Sequence, residues 1–466
     1  LVAGGRLRVA MPRSASWWSQ TTSFANEAIS RAGGLAMASA YSGGSRIGEG
    51  DVLLVDDLDL DAEARLAIVQ QAREAGALVV LFGSEESALR AVADWLIGTG
   101  LPAGTAPVVQ LDGWPAPLCP LAPDANITAL WVFTGELVAA CTRLGQTPVL
   151  YESVFVPGRR DWFDRHQGAR FHSDLTVPAV PAGQLGSTYL AEMRRCVQGL
   201  VVQQAALGAA GQLLAGAIRA GGRARVAAIG HHLPGQFGLP GDPGRLDGQL
   251  PWTASQNWDI AGLERALAPG DALLFMGYFG LPAWTELDPL RSRKLPSVWV
   301  TGGREVPELN PEPRDWEIHI DPLWRAGDSS VELPGYPFEI LPPSGVIQTA
   351  VLWMITGEVE AAMLPPVTAV ETPGSAGVPR ESRLLSCYPN PFNATTTIPY
   401  VLSAAGPVRL TVYDALGAEV ATLRRGWQEA GPHSVTWHPT DCASGVYYCR
   451  LSADAVRQTR KLVLSK

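Results

Sequence analysis

Four carboxylates within six residues, Asp56, Asp57, Asp59 and Asp61, follow the apolar run at 52–55. Their oxygens suit a hard cation such as Ca²⁺ or Mg²⁺. The loop lacks the glycine and closing glutamate of a calcium-binding EF-hand loop. Asp61 and Glu63 fit a helix start equally well, where negative charge complements the dipole. His231 and His232 stand side by side after another apolar run. Histidine changes charge near neutrality, so the pair suits acid–base work or a ligand contact, against a plain hydrogen-bonded loop. Arg13 with Ser14 and Ser16 joins a cation to two hydroxyls, which is chemistry for an anion or for a helix cap. Glu27 and Glu286 lie in helical segments beyond such loops, as bases for proton transfer or as surface carboxylates. Between 151 and 185, Arg159, Arg160, Trp162, Phe163, His166, Arg170, Phe171 and His172 mix aromatic rings with cations. Such a set stacks on a ligand and pairs an anion, or simply packs as a connector. The six cysteines show no metal-ligand spacing and no dense disulfide framework; Cys442 and Cys449 are left as a pair or as free thiols. No metal and no cofactor is assigned.

The elements that position these residues occur twice. Gly4-Gly-Arg6 before an apolar strand answers Gly221-Gly-Arg223, and Gly50-Asp51 answers Gly270-Asp271. Residues 78–83 answer 297–302, and Leu130-Trp-Val-Phe-Thr-Gly-Glu136 answers Leu352-Trp-Met-Ile-Thr-Gly-Glu358. Four landmarks in one order indicate a duplication of about 220 positions over residues 1–363. Each copy alternates short apolar strands with helices, so each is expected to be an α/β unit with a parallel sheet covered on both faces. Gly135 and Gly357 are expected to let equivalent helices approach closely across a pseudo-twofold contact. A helical stretch at 188–219 precedes the second copy. Only three residues precede Gly4, so the natural chain is expected to begin further upstream. Residues 364–380, rich in Pro, Val, Thr and Gly, read as a linker.

The last segment changes character. Val408, Leu410 and Val412 alternate with Arg409, Thr411 and Tyr413, the period-2 pattern of a half-buried strand. Residues 419–423, 433–437 and 446–451 supply further strands between turn residues, so a small all-β unit is expected. The chain of 466 residues is 47% hydrophobic and 17% charged, as a packed body requires. Its net charge of −9 argues against nucleic acid, which needs clustered Lys and Arg. No membrane span is expected.

Two resemblances give these patterns a context. Cys387-Tyr-Pro-Asn-Pro-Phe-Asn393, Val408-Arg-Leu-Thr-Val-Tyr-Asp414, Ser444-Gly-Val-Tyr-Tyr448 and Thr459-Arg-Lys-Leu-Val463 together resemble the C-terminal sorting domain of type IX (Por) secretion cargo. That family is an immunoglobulin-like sandwich related to the flagellar hook-capping domain. The resemblance implies passage through the periplasm to the cell surface or medium, with the type IX machinery as partner and a leader not seen here. Residues 24–35, Gly230-His-His232, Ala326-Gly-Asp-Ser-Ser330 and Pro342-Pro-Ser-Gly345 resemble SIS (sugar isomerase) domains, flavodoxin-like modules that bind phosphosugars. In that family a Ser-x-Ser-Gly run after the second strand cradles the phosphate. Here residues 56–61 and 277–282 stand in its place, retaining Gly280 but little hydroxyl chemistry, so both cradles look lost. The resemblance implies a first SIS-like domain at 1–150, a connector at 151–186, a second at 187–363, a linker at 364–380 and the sorting domain at 381–466. It also implies Arg13, Ser14, Ser16, Gly230, His232 and Gly280 as ligand contacts, with Glu286 and His231 as catalytic groups if catalysis survives. The expectation is an exported protein with a degenerate sugar-binding module, more binder than enzyme. An active sugar-phosphate isomerase and a structural surface protein with a vestigial cleft are the alternatives, and a homo-oligomer stays open.

Overall fold

The computed structural model describes residues 1–11, 23–29, 33–44, 46–58, 62–111, 116–230, 232–248, 259–278, 283–303, 306, 311–364, 382–385, 387, 392, 395–414, 417–439, 442–453 and 456–464. These fall into two compact units, Leu1–Pro365 and Pro366–Lys466.

In the first unit the chain runs β1 (Leu7–Ala10), α1 (Ser23–Ala28), β2 (Ala38–Tyr41), β3 (Val52–Asp56), α2 (Ala62–Glu74), β4 (Leu78–Gly83) and β5 (Trp95–Gly98). A small antiparallel pair, β6 (Pro107–Val109) and β7 (Leu118–Pro120), leads into α3 (Ala122–Arg143). After α4 (Arg159–His166), α5 (Gln184–Val202) and α6 (Gln204–Arg219), the second copy follows. It comprises β8 (Ala224–Ala228), β9 (Leu246–Asp247), α7 (Ile260–Ala266), β10 (Ala272–Met276), α8 (Trp284–Arg291), β11 (Ser297–Val300), β12 (Glu317–Ile320) and α9 (Ser344–Met363). The sheets run β2-β1-β3-β4-β5 and β9-β8-β10-β11-β12, parallel throughout. Each is the doubly wound 2-1-3-4-5 order of a flavodoxin-like domain.

The repeat extends to single hydrogen bonds. Asp51 accepts from the backbone N–H of Arg6 (2.7 Å) and Gly48 (3.0 Å). Asp271 accepts from Arg223 (3.0 Å) and Ala268 (3.0 Å) in the same pattern. Glycine is required at Gly5 and Gly222, because a Cβ there would come within 1.8 Å of the Gly50 oxygen and 2.0 Å of the Gly270 oxygen.

Strand residues alternate between two cores, as the pleat dictates. Leu54, Val80 and Phe82 of the first sheet, and Leu274, Met276 and Val300 of the second, face one central core with α3, α5, α6 and α9. Leu53, Val55 and Leu81 pack outward on Ile68, Val69 and Ala72 of α2, while Leu273, Phe275 and Trp299 pack on Leu263, Leu287 and Leu290. The order of layers is therefore helix, sheet, shared helices, sheet, helix.

Two expectations about helices change. The stretch at 188–219 is two helices bent by 66°, because Gln203 at the break exchanges hydrogen bonds with the backbone of Asp321 (2.7 and 3.0 Å). Gly135 does permit a close approach, with a Cβ position 3.2 Å from Leu185 Cβ, but nothing lies within 4 Å of the equivalent position on Gly357. There the close contact is made by Gly211 of α6 against the Glu358 backbone. Among the described residues one helix, α3, is long and apolar enough to cross a membrane, and the bent pair α5 and α6 passes only if taken as one span. α3 packs as a core helix instead, with Ile127, Leu130, Trp131 and Val138 in the central core.

The second unit pairs a three-stranded sheet with a four-stranded one. The first is β13 (Arg383–Leu384), β14 (Thr396–Leu402) and β17 (Gly431–Trp437); the second is β16 (Glu419–Gln428), β15 (Gly406–Asp414), β18 (Gly445–Ala453) and β19 (Val456–Leu464). Ile398, Tyr400 and Trp437 from one sheet meet Leu410, Val412, Cys449 and Leu451 from the other in one core. Val408, Leu410 and Val412 face inward as their alternation predicts. This is an immunoglobulin-like sandwich. All six cysteines are free.

Candidate functional site

In a sheet of 2-1-3-4-5 order, ligands meet the crevice at the carboxyl ends of the first and third strands. In the first copy that crevice lies beyond β1 and β3. Arg13, Ser14, Ser16, Asp59 and Asp61 fall outside the described residues. Asp56 and Asp57 do not form an acidic surface. Asp56 is buried against the equally buried Arg65 guanidinium. Asp57, also buried, accepts from Ser84 N–H (2.6 Å) and from Asn126 Nδ2 of α3 (2.9 Å). Both carboxylates are engaged by internal partners, which is not the arrangement of an acidic loop open to a hard cation.

The second copy closes its crevice in the same way. Gln348 Nε2 of α9 donates to Gly277 O (2.7 Å). Asn126 precedes Leu130 by four residues and Gln348 precedes Leu352 by four; Asp57 and Gly277 each lie six residues after the paired Asp51 and Asp271. Equivalent amide side chains thus tie equivalent loops to the last helix of each copy. Gly230 is where Gln348 passes, a Cβ there being 2.7 Å from Oε1. His231 and Gly280 fall outside the described residues. His232 is fully buried, its Nε2 4.0 Å from Asp124 Oδ1, with Gln236 Nε2 at 3.1 Å. Burial drives its pKa down to about 3, so the ring is neutral at physiological pH.

Around the start of α9 the two copies contribute a buried polar cluster. Asp328 accepts from Ser344 N–H (3.0 Å) and Ser344 Oγ (2.8 Å), and the Tyr278 hydroxyl donates to it. Burial raises Asp328 to about 7 against the lowering effect of these donors. Glu27 of α1 reaches the same helix end, where a Cβ on Gly345 would be 3.1 Å from its Oε1. Burial, followed by the charge of Glu27, pushes Asp124 well above the usual carboxylate range. Glu27 is therefore an interior group, and its reading as a surface carboxylate is corrected. Glu286 lies exposed on α8.

The connector packs over the body. Phe155 meets Tyr278 edge-on (ring centroids 6.3 Å apart), Arg159 pairs with the buried Glu152, and Arg170 donates to the backbone of Leu1 and Gly5. Asp328, Ser344 and Tyr278 carried no role in the sequence reading. Asp328 and Ser344 stood within motifs of the SIS resemblance, and Tyr278 was marked only by its place just after β10. Asn126 and Gln348 were marked by being polar at matched places in two apolar helices.

The fold and cluster define a twin flavodoxin-like body followed by an immunoglobulin-like tail. Residues 386–465 match the secretion system C-terminal sorting domain family. The tail is thus a type IX sorting domain, and the chain is addressed to the cell surface or the medium. No curated protein matches the chain. Among solved structures, the C-terminal domain of glucosamine-fructose-6-phosphate aminotransferase from Francisella tularensis is similar at 10% identity, covering 77% of this chain and 84% of that one, with a TM-score of 0.42. PorZ, a surface component of the type IX secretion system of Porphyromonas gingivalis, is similar at 20% identity over 17% of this chain and 11% of its own, with a TM-score of 0.14.

Proposed function

We propose that this exported protein uses its duplicated body to bind a sugar or sugar derivative that lacks a phosphate, and that the body is a degenerate SIS-type module rather than an isomerase. One observation carries this reading. The N-terminus of a helix is a natural anion site, and at α9 the Asp328 carboxylate already accepts from Ser344 while Glu27 lies against Gly345. Above about pH 7, where Asp328 is ionised, a phosphate dianion placed there meets like charge in a poorly screened interior. Hydroxyl donors or an ammonium group of an amino sugar meet acceptors instead. The type IX machinery is the partner for delivery. The organisation that goes with this reading is an SIS-like domain at 1–150, a connector to 186, a second domain to 363, a linker to 380 and the sorting domain thereafter.

A thermal-shift screen of the full chain against neutral sugars, amino sugars and sugar phosphates tests the reading. A ligand at one hundred times its Kd stabilises the native state by about 2.7 kcal/mol, enough to move the melting temperature visibly. Shifts confined to unphosphorylated sugars are expected. Shifts confined to sugar phosphates overturn the proposal.

A further inference from the structure

We propose that His166, His172 and Asp174 form a transition-metal site, with Zn²⁺ as its cognate ion. His166 ends α4 and the other two follow in the connector. One donor atom from each lies within 4.8 Å of the others. Asp174 Oδ1 is 3.0 Å from His172 Nδ1, and its Oδ2 is 3.7 Å from His166 Nε2. Tetrahedral zinc with bonds of about 2.0–2.1 Å separates its ligands by roughly 3.3 Å, so the three donor atoms, within 4.8 Å of one another, have only a short way to close around an ion.

The hydrogen bonds behind the rings fix which nitrogens face inward. His166 Nδ1 lies 2.9 Å from Trp162 O. A carbonyl only accepts, so Nδ1 carries the proton and Nε2 presents its lone pair toward Asp174. His172 Nε2 lies 3.1 Å from the Tyr336 hydroxyl, which itself accepts from Leu150 N–H (2.9 Å) and lies 3.4 Å from Leu150 O. In the metal-free protein His172 Nδ1 donates to Asp174 Oδ1 (3.0 Å); a bound ion takes the place of that proton, with Nε2 then donating to the Tyr336 hydroxyl and the tyrosine proton directed to Leu150 O. A ring nitrogen anchored on a carbonyl or hydroxyl behind a bare one is the outer shell of a metal-ligating histidine.

The frame is stiff. His172 N–H donates to Thr147 O (2.8 Å), Val149 N–H donates to Arg170 O (3.1 Å), and Trp162 Nε1 donates to Leu150 O (3.1 Å). The Trp162 ring covers His166 at 4.2 Å between centroids. Two imidazoles, which are borderline donors, beside one carboxylate suit zinc rather than Ca²⁺ or Mg²⁺, which take oxygen ligands. The Asp174 side chain is 63% exposed, so the fourth position opens to solvent, as at a zinc that keeps a water. The spacing His-x5-His-x-Asp differs from the finger-type patterns, and the sequence reading assigned no metal.

The test titrates Zn²⁺ into chelator-stripped full-length protein against a chromophoric chelator, with Co²⁺ absorption reporting geometry. One equivalent of Zn²⁺ is expected to bind, and Co²⁺ to show the visible bands of four-coordination. Asp174→Asn and His172→Gln should each weaken binding by about tenfold or more, and Tyr336→Phe by about ten- to a hundredfold through the lost orientation of His172. Asp174 is exposed, so its variant should keep the metal-free melting temperature and separate ligation from folding. Absence of a Zn²⁺ site tighter than about 100 µM, an affinity of only about −5 kcal/mol, overturns the proposal. So does stoichiometric binding that Asp174→Asn and His172→Gln leave unchanged.

Discussion

Replacing Asp57 by alanine removes the acceptor for two donors, Ser84 N–H and Asn126 Nδ2, at 2.6 and 2.9 Å in a site only 3% exposed. Hydrogen bonds to a charged group are worth about 1.5–3 kcal/mol each, and a donor left unpaired in the interior adds its own desolvation cost. Allowing for partial relaxation, Asp57→Ala should destabilise the body by about 3–5 kcal/mol, a large share of the roughly 5–15 kcal/mol typical of a folded domain. Asp57→Ser belongs in the same range, since its shorter hydroxyl does not reach both donors. Urea unfolding followed by tryptophan fluorescence reads the body, because all the tryptophans except Trp427 and Trp437 precede the linker. A double-mutant cycle with Asn126→Ala should return a coupling of about 0.5–3 kcal/mol. A loss under about 0.5 kcal/mol for Asp57→Ala, with no coupling, refutes the reasoning. It would mean that the crevice of the first copy is open and its carboxylate free.

Three other outcomes are expected. Asp328 titrates near 7 when folded and near 3.8 when unfolded, so the native state holds the extra proton between those values; wild-type stability, relative to Asp328→Asn, should fall as pH rises from about 4 to 7, by up to about 1.4 kcal/mol per pH unit, and parallel melting curves across that range would exclude it. Phe392, 2% exposed on Trp437 and bonded through its N–H to Val463 O (2.9 Å), is itself held on β19; Phe392→Ala should cost the sandwich about 3–5 kcal/mol and reduce surface delivery, whereas an unchanged sandwich transition would remove that role. Limited proteolysis should cut first between 364 and 380, leaving two resistant fragments, and equal cleavage within the body would count against that linker.

The repeat was legible because its determinants are local. Gly5 and Asp51, like Gly222 and Asp271, act through backbone contacts that demand those residue types, so they stand out as matched pairs. The strand at 408–413 was legible from its alternation alone. The fate of the acidic residues was not. Asp57 is buried by Ser84 and Asn126, and Glu27 by the start of α9, partners 27 to 318 positions away that no local pattern announces. Asp328 stood within a recognised motif, yet its role depends on Tyr278 and Ser344 reaching it from separate elements. β19 shows no clean alternation because Arg457, Thr459, Arg460 and Lys461 are all exposed, leaving Leu462 and Leu464 as its buried apolar contribution. The break at Gln203 was hidden because it serves Asp321, on the far side of the second sheet sequence.

The most direct measurement is a paired calorimetric titration of the full-length chain with an amino sugar and with the same sugar carrying a 6-phosphate. If the protein's own carboxylates occupy the anion position at α9, the amino sugar should bind at least about tenfold tighter, the equivalent of about 1.4 kcal/mol. The phosphorylated form should neither bind better nor be isomerised. Tighter binding of the phosphate, with aldose–ketose turnover lost in Glu286→Gln, would contradict the account and restore the isomerase reading.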